Sequence, residues 1–171
     1  MNVAVQIFGL IAITMWLVGT QSKNKKEILL AQMISSAFYC LQYICLKAYT
    51  GALTDLVTII RNIVFYFEEK HNKKISKISL IIFMFIILFV GIITFDNIYC
   101  LLIIFASILY LMAVWVKNFQ LTRVLCIISA MGWLSYNYLV GAYVNCIGNS
   151  LEIILLIIAM IRYRGTNNEE I

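Results

Sequence analysis

The chain has 171 residues, 63% of them hydrophobic and 12% charged. A soluble domain of this size cannot hide that much apolar surface, so composition excludes a soluble globular protein and points to the bilayer. The net charge of +5 is scattered over short loops, which speaks against nucleic-acid binding and leaves the charge to set membrane topology.

Seven apolar runs follow in chain order: 3–20, 27–46, 50–68, 78–95, 98–116, 121–140 and 143–163. Each is about 17–21 residues, enough to span the hydrocarbon core as a helix. The first run lacks a basic leading segment and is followed by positive charge, so it reads as an inserted helix rather than a cleavable signal. Lys23, Lys25 and Lys26 follow the first run, and Lys70, Lys73, Lys74 and Lys77 follow the third. Only the polar pair Asp96–Asn97 separates the fourth run from the fifth. A single broken segment, giving six helices, is therefore the rival count. Lys117 and Arg123 flank the next turn, and Arg162 and Arg164 follow the seventh run. The alternate loops carry only Lys47 among basic residues. The positive-inside rule then predicts a bacterial inner (plasma) membrane protein that is multi-pass, with its N-terminus outside and its C-terminus cytosolic. That orientation requires an odd number of spans, which favours seven.

Arg61 and Glu152 carry the most unusual signal. Each lies ten or eleven residues beyond a polar turn, Lys47–Gly51 or Gly141–Tyr143. Helical rise places both roughly 15 Å into the bilayer. Charge at that depth is costly, faces the bundle interior and commonly marks a pathway. Asn145, Asn149 and Glu152 stack on one helical face, as do Thr54, Thr58 and Arg61, with Asp55 and Asn62 beside them. The second run adds Gln32, Ser35, Ser36, Tyr39, Gln42 and Tyr43; the sixth adds Ser129, Gly132, Trp133, Tyr136 and Asn137.

The chain also resembles itself. At an offset of 93 Ser36 meets Ser129, Ala37 meets Ala130 and Tyr43 meets Tyr136; at 91 Arg61 meets Glu152 and Thr58 meets Asn149. With the charge topology this predicts an all-α membrane protein of seven transmembrane helices: two parallel triple-helix bundles joined by a linker helix, or 3+1+3. The predicted divisions are 1–69 for the first bundle, 70–97 for the loop and linker helix, and 98–171 for the second bundle and tail.

The segments FGLIAITMWLVGTQSKNKK (Phe8–Lys26), YTGALTDLVTIIRNIVFY (Tyr49–Tyr66) and WLSYNYLVGAY (Trp133–Tyr143) resemble the YgjV-type bacterial inner-membrane proteins. These are in turn similar to the SWEET, PQ-loop and PnuC-like transporters. The resemblance covers essentially the whole chain and implies fold more firmly than function. It implies a site built from asparagines on the third helix of each triplet, for which Asn62 and Asn149 are the nearest matches, with aromatics nearby. The relatives' proline hinge has no counterpart, because the chain contains no proline; Gly9 or Gly19 stand as substitute pivots.

The expected function is a small-solute transporter or facilitator with a central polar cavity. Its substrate-binding residues are Arg61, Glu152, Asn149, Asn145, Asn62, Thr58, Tyr43, Trp133 and Tyr136, and the ligand is uncharged or zwitterionic. The rival is a non-transporting receptor or assembly factor in which Arg61 and Glu152 form a static ion pair. Trp16 and Trp115 read as interface anchors, Asp55 as a residue of the outer entrance, and Gly132, Gly141 and Gly148 as close-contact positions. Ser35, Ser36 and Ser129 read as interhelical glue. The five cysteines have no metal-type spacing and read as small apolar residues. No GxSxG, HExxH or P-loop is present, and the lone histidine, His71, sits in a charged loop. No enzyme, cofactor, catalytic residue or metal is expected. The expected partners are the lipid bilayer and a small polar solute, with the chain a monomer or homo-oligomer.

Overall fold

A computed structural model describes residues 3–21, 25–71, 76–116 and 118–162. Seven helices form: α1 (Val3–Gln21), α2 (Lys25–Cys45), α3 (Tyr49–Lys70), α4 (Lys77–Ile93), α5 (Cys100–Trp115), α6 (Phe119–Val140) and α7 (Tyr143–Arg162). They follow the seven apolar runs closely. The segment around Asp96–Asn97 is a true break, since α4 ends at Ile93 and α5 begins at Cys100. Lys23, Lys73, Lys74, Lys117 and Arg164, part of the charge pattern, lie outside the described residues.

The distribution of side chains is inverted relative to a soluble protein. Ile78, Phe85, Ile92 and Ile161 are exposed, whereas Ser35, Gln42, Thr54, Asp55, Arg61, Asn62, Asn137 and Asn145 are buried. An apolar exterior around a polar interior is stable in lipid and aggregation-prone in water. Three helices, α2, α3 and α7, are long and apolar enough to cross a membrane; α1, α4 and α5 contain shorter apolar helices. The helix α4 buries Leu80, Phe83 and Ile87 and packs Met84, Ile86 and Val90 partly against the core.

Along the chain α1 packs on α2 and α2 on α3, then α5 on α6 and α6 on α7. The helix α4 touches α3 and α5, while α1 closes on α7 and α3 on α5. Local devices recur at an interval of 94 residues. The Ser35 hydroxyl donates to Ala12 O at 2.8 Å, and the Ser129 hydroxyl to Ala106 O at 2.8 Å. Among the described residues two have a positive φ, Lys47 at 57° and Gly141 at 80°. Each closes its helix the same way. Ala48 N–H donates to Tyr43 O at 2.9 Å, and Ala142 N–H to Asn137 O at 2.9 Å. Such left-handed caps satisfy carbonyls that a helix end leaves open. The recurrence replaces the 93 and 91 intervals taken from residue identities with one value.

Glycine at 132 permits close packing: a Cβ there would lie 2.8 Å from Ala106 Cβ and 3.3 Å from Leu102 O. Gly148 likewise sits against Ile13. Gly141 departs from its expected role. Nothing lies within 4 Å of a Cβ there, so its value is the left-handed backbone rather than close contact.

Candidate functional site

A cavity of ≈ 140 Å³ opens among the helices, lined by α1, α2, α3, α5, α6 and α7 with Ile87 of α4. A space of about 150 Å³ takes a benzene-sized ring. The lining comprises Trp16, Gln32, Ser35, Ser36, Tyr39, Tyr43, Asp55, Thr58, Arg61, Ile87, Ser107, Tyr110, Ser129, Ala130, Trp133, Asn137, Gly148, Asn149 and Glu152. Seven lining pairs stand 94 residues apart: Trp16 with Tyr110, Ser35 with Ser129, Ser36 with Ala130, Tyr39 with Trp133, Tyr43 with Asn137, Asp55 with Asn149, and Thr58 with Glu152.

Six of the nine sequence-predicted binding residues line this cavity: Arg61, Glu152, Asn149, Thr58, Tyr43 and Trp133. Asn62, Asn145 and Tyr136 stand behind it. Asn62 accepts from Arg61 Nε at 3.3 Å and Nη2 at 3.1 Å, and donates to Gln32 Oε1 at 3.4 Å. Gln32 Nε2 donates to Tyr110 Oη at 3.3 Å. The Tyr110 ring faces the Arg61 guanidinium at 5.4 Å, and Phe65 lies at 5.9 Å. This circuit through α3, α2 and α5 holds a buried cation by two hydrogen bonds and two ring faces.

The structure therefore departs from the static Arg61–Glu152 ion pair of the rival reading. Arg61 is 4% exposed and uses Asn62, Tyr110 and Phe65. Among the described residues no ion pair reaches it. The sequence register made the two charges equivalent, but at the observed interval Glu152 corresponds to Thr58, and Arg61 to Leu155.

The end of the cavity nearest the 46–48 and 141–142 turns is closed by a buried polar layer. Tyr43 O–H donates to Asn137 Oδ1, and Asn145 Nδ2 approaches Tyr43 Oη at 3.5 Å. Asn137 Nδ2 donates to Asn149 Oδ1 at 3.2 Å, and Gly51 N–H to Tyr136 Oη at 3.1 Å. Tyr43 stacks on Trp133 at 6.4 Å and meets the Tyr136 edge at 6.0 Å. Beyond this layer Gln6 Nε2 donates to Gly141 O, while Thr50 Oγ1 reaches Thr94 O at 3.0 Å and Cys100 Sγ at 3.3 Å. At the opposite end Gln32, Tyr110, Trp16 and Glu152 are only partly buried.

Two cavity residues were misread from sequence and a third was missed. Trp16 lines the cavity instead of anchoring an interface. Its signal was Tyr110, 94 residues on, which sequence identity alone does not reveal. Tyr110 itself was missed. Asp55 is 6% exposed and sits in the cavity wall, so it is not an entrance residue. Ser35 and Ser129 do tie helices together, as their hydrogen bonds to Ala12 and Ala106 require. All five cysteines are free.

An apolar exterior enclosing a polar, charged interior defines a helical integral membrane protein. The chain belongs to the Imp-YgjV family of bacterial inner membrane proteins, whose model matches residues 3–167. Neither the curated proteins nor the solved structures yield a match to the chain.

Proposed function

We propose that this inner membrane protein is a multi-pass small-solute transporter or facilitator of the 3+1+3 kind. In this reading α1–α3 and α5–α7 are parallel triplets and α4 links them, within the divisions 1–69, 70–97 and 98–171. The solute binds between the triplets, and the two triplets rock to expose it to either side. The observation that carries the reading is the lining itself: seven pairs of cavity residues share one 94-residue interval. A cavity shared by corresponding positions lies on the axis relating the repeats, where rocking changes its access. Inter-triplet contacts fit the same relation: α1 meets α7 and α3 meets α5. Gln6 approaches Val144 N at 3.4 Å, and Cys100 approaches Thr50 Oγ1 at 3.3 Å, with Gln6 and Cys100 related by that interval, as are Thr50 and Val144.

The binding residues are Arg61, Glu152, Asn149, Thr58, Tyr43 and Trp133 at the wall, with Asn62, Asn145 and Tyr136 as their supports. With the C-terminus cytosolic, the buried Tyr43–Asn137 layer is the outer closure and the conformation faces inward. No catalysis is part of this role. The receptor or assembly-factor alternative loses its anchor, because Arg61 and Glu152 are not paired. The test is Asn149→Cys in a chain lacking the native cysteines, probed with membrane-impermeant thiol reagents from each side of the membrane. Labelling from at least the cytosolic side is expected. A cysteine that no reagent reaches from either side would overturn the reading.

A further inference from the structure

The cavity contains three formal charges, and they do not cancel. Arg61 is held by Asn62 and the faces of Tyr110 and Phe65. Asp55 and Glu152 also line the space. Among the described residues no hydrogen bond or ion pair reaches either carboxylate. Asp55 is 6% exposed and its Oδ2 is buried without a partner. Independently, the Ser107 hydroxyl is buried in the same wall and is also unpartnered. Burying an ionised carboxylate without compensation is strongly unfavourable, and buried polar groups are otherwise nearly always satisfied. The Asp55 and Ser107 groups therefore mark where a ligand's polar atoms belong.

The walls between the carboxylates are aromatic. Tyr39 lines the same cavity as Asp55 and Glu152. Its counterpart Trp133 lines the same cavity and stacks on Tyr43. Ring faces attract cations and pack flat apolar bodies, and they repel anions. Two carboxylates against one guanidinium, which is hydrogen-bonded to Asn62 and also acts on Asp55 through space, leave a formal excess of one negative charge.

From this we infer that the cavity takes a small, flat ligand bearing a cationic nitrogen, such as an amine, amidine or guanidine. The cationic group sits between Asp55 and Glu152, with Tyr39 and Trp133 against the ligand body. The inference rests on the cavity reading above and narrows its ligand from uncharged or zwitterionic solutes to those carrying positive charge. The ≈ 140 Å³ volume limits the enclosed part to about one ring.

Three isosteric probes separate charge from shape: benzamidinium, benzamide and benzoate. Binding to the purified full-length protein is measured by isothermal titration, for wild type, Asp55→Asn and Glu152→Gln. The expected order is benzamidinium tightest, by at least about tenfold over benzamide, with benzoate weakest. Both variants should lower benzamidinium affinity by at least about tenfold, more than they lower benzamide affinity. A wild-type elution volume and cooperative thermal unfolding show that a variant is folded; if one variant fails to fold, the other carries the comparison. Benzamide or benzoate binding as tightly as benzamidinium would overturn the cationic preference while leaving a ligand cavity in place. Benzamidinium binding unaltered in both variants would also overturn it. If none of the probes binds wild type, the cationic inference falls. Thiol accessibility of Asn149→Cys then decides separately whether the cavity reading falls with it.

Discussion

Tyr43→Phe isolates the hydroxyl that ties α2 to α6 and α7. The ring remains, with its 6.4 Å stack on Trp133 and 6.0 Å edge contact with Tyr136. What is lost is donation to Asn137 Oδ1 and acceptance from Asn145 Nδ2 at 3.5 Å. Interhelical hydrogen bonds in membranes average about 0.6 kcal/mol and reach about 1.7. The Tyr43–Asn137 bond belongs at the upper end, because both residues are 2% exposed or less and water cannot replace the missing partner. The longer Asn145 contact adds little. The expected loss is about 1–2 kcal/mol, or roughly 2–8 °C in melting temperature for a chain of this size. Thermal unfolding in detergent micelles, followed by tryptophan fluorescence, measures it. In a double-mutant cycle with Asn137→Ala the two losses should fall short of additive by about 1 kcal/mol. A melting temperature unchanged within about 1 °C, together with strictly additive losses, would refute the idea that this hydroxyl welds the closed end.

Four further outcomes follow from the same geometry. Ser35→Ala and Ser129→Ala remove corresponding bonds to Ala12 O and Ala106 O, so each should cost a similar amount, about 0.6–1.7 kcal/mol; losses differing severalfold in thermal unfolding would contradict their equivalence. Gly132→Val forces a side chain against Ala106 Cβ and Leu102 O and should cost about 1–3 kcal/mol by overpacking. Gly141→Ala meets no neighbour within 4 Å and should cost only the left-handed backbone penalty of about 1–2 kcal/mol; restoration of its stability by Gly141→Asn, which tolerates that conformation, checks the cause. Arg61→Lys keeps the charge but loses the two-pronged donation to Asn62 Oδ1 and the flat stack on Tyr110. It should lower stability by roughly 1.5–3 kcal/mol, and a Lys variant as stable as wild type would show that charge alone matters.

Most of the fold was legible because hydropathy is a strong signal in lipid. All seven apolar runs became helices, and the Asp96–Asn97 pair was enough to break α4 from α5. The register between the halves was not legible. Apolar helices match one another at many offsets, so identities such as Tyr43 with Tyr136 favoured 93, whereas the hydrogen bonds of Ser35 and Ser129 and the caps at Lys47 and Gly141 give 94. The further shift to 91 in the third helix of each triplet made Arg61 and Glu152 look like counterparts. Helical depth placed both near the bilayer centre but gave no information on their partners, and Asn62 next door was the closer acceptor. Polar stripes found most of the cavity wall. Trp16 escaped because an aromatic near a helix end fits an interface anchor equally well, and Tyr110 because it sits within the almost wholly apolar run of α5; only the packing of α1 and α5 around the same space reveals both.

Alternating access is tested most directly by locking the end closed by the Tyr43–Asn137 layer. Thr50 Oγ1 lies 3.3 Å from Cys100 Sγ, so Thr50→Cys in a chain retaining only Cys100 among native cysteines should cross-link on oxidation. Labelling of Asn149→Cys, read by mass spectrometry, is then compared from both sides before and after oxidation. Oxidation should abolish labelling from outside and preserve labelling from the cytosol, and reductant should reverse the effect. Outside labelling that survives the cross-link, or cytosolic labelling that disappears with it, would contradict a cavity served by two alternating openings.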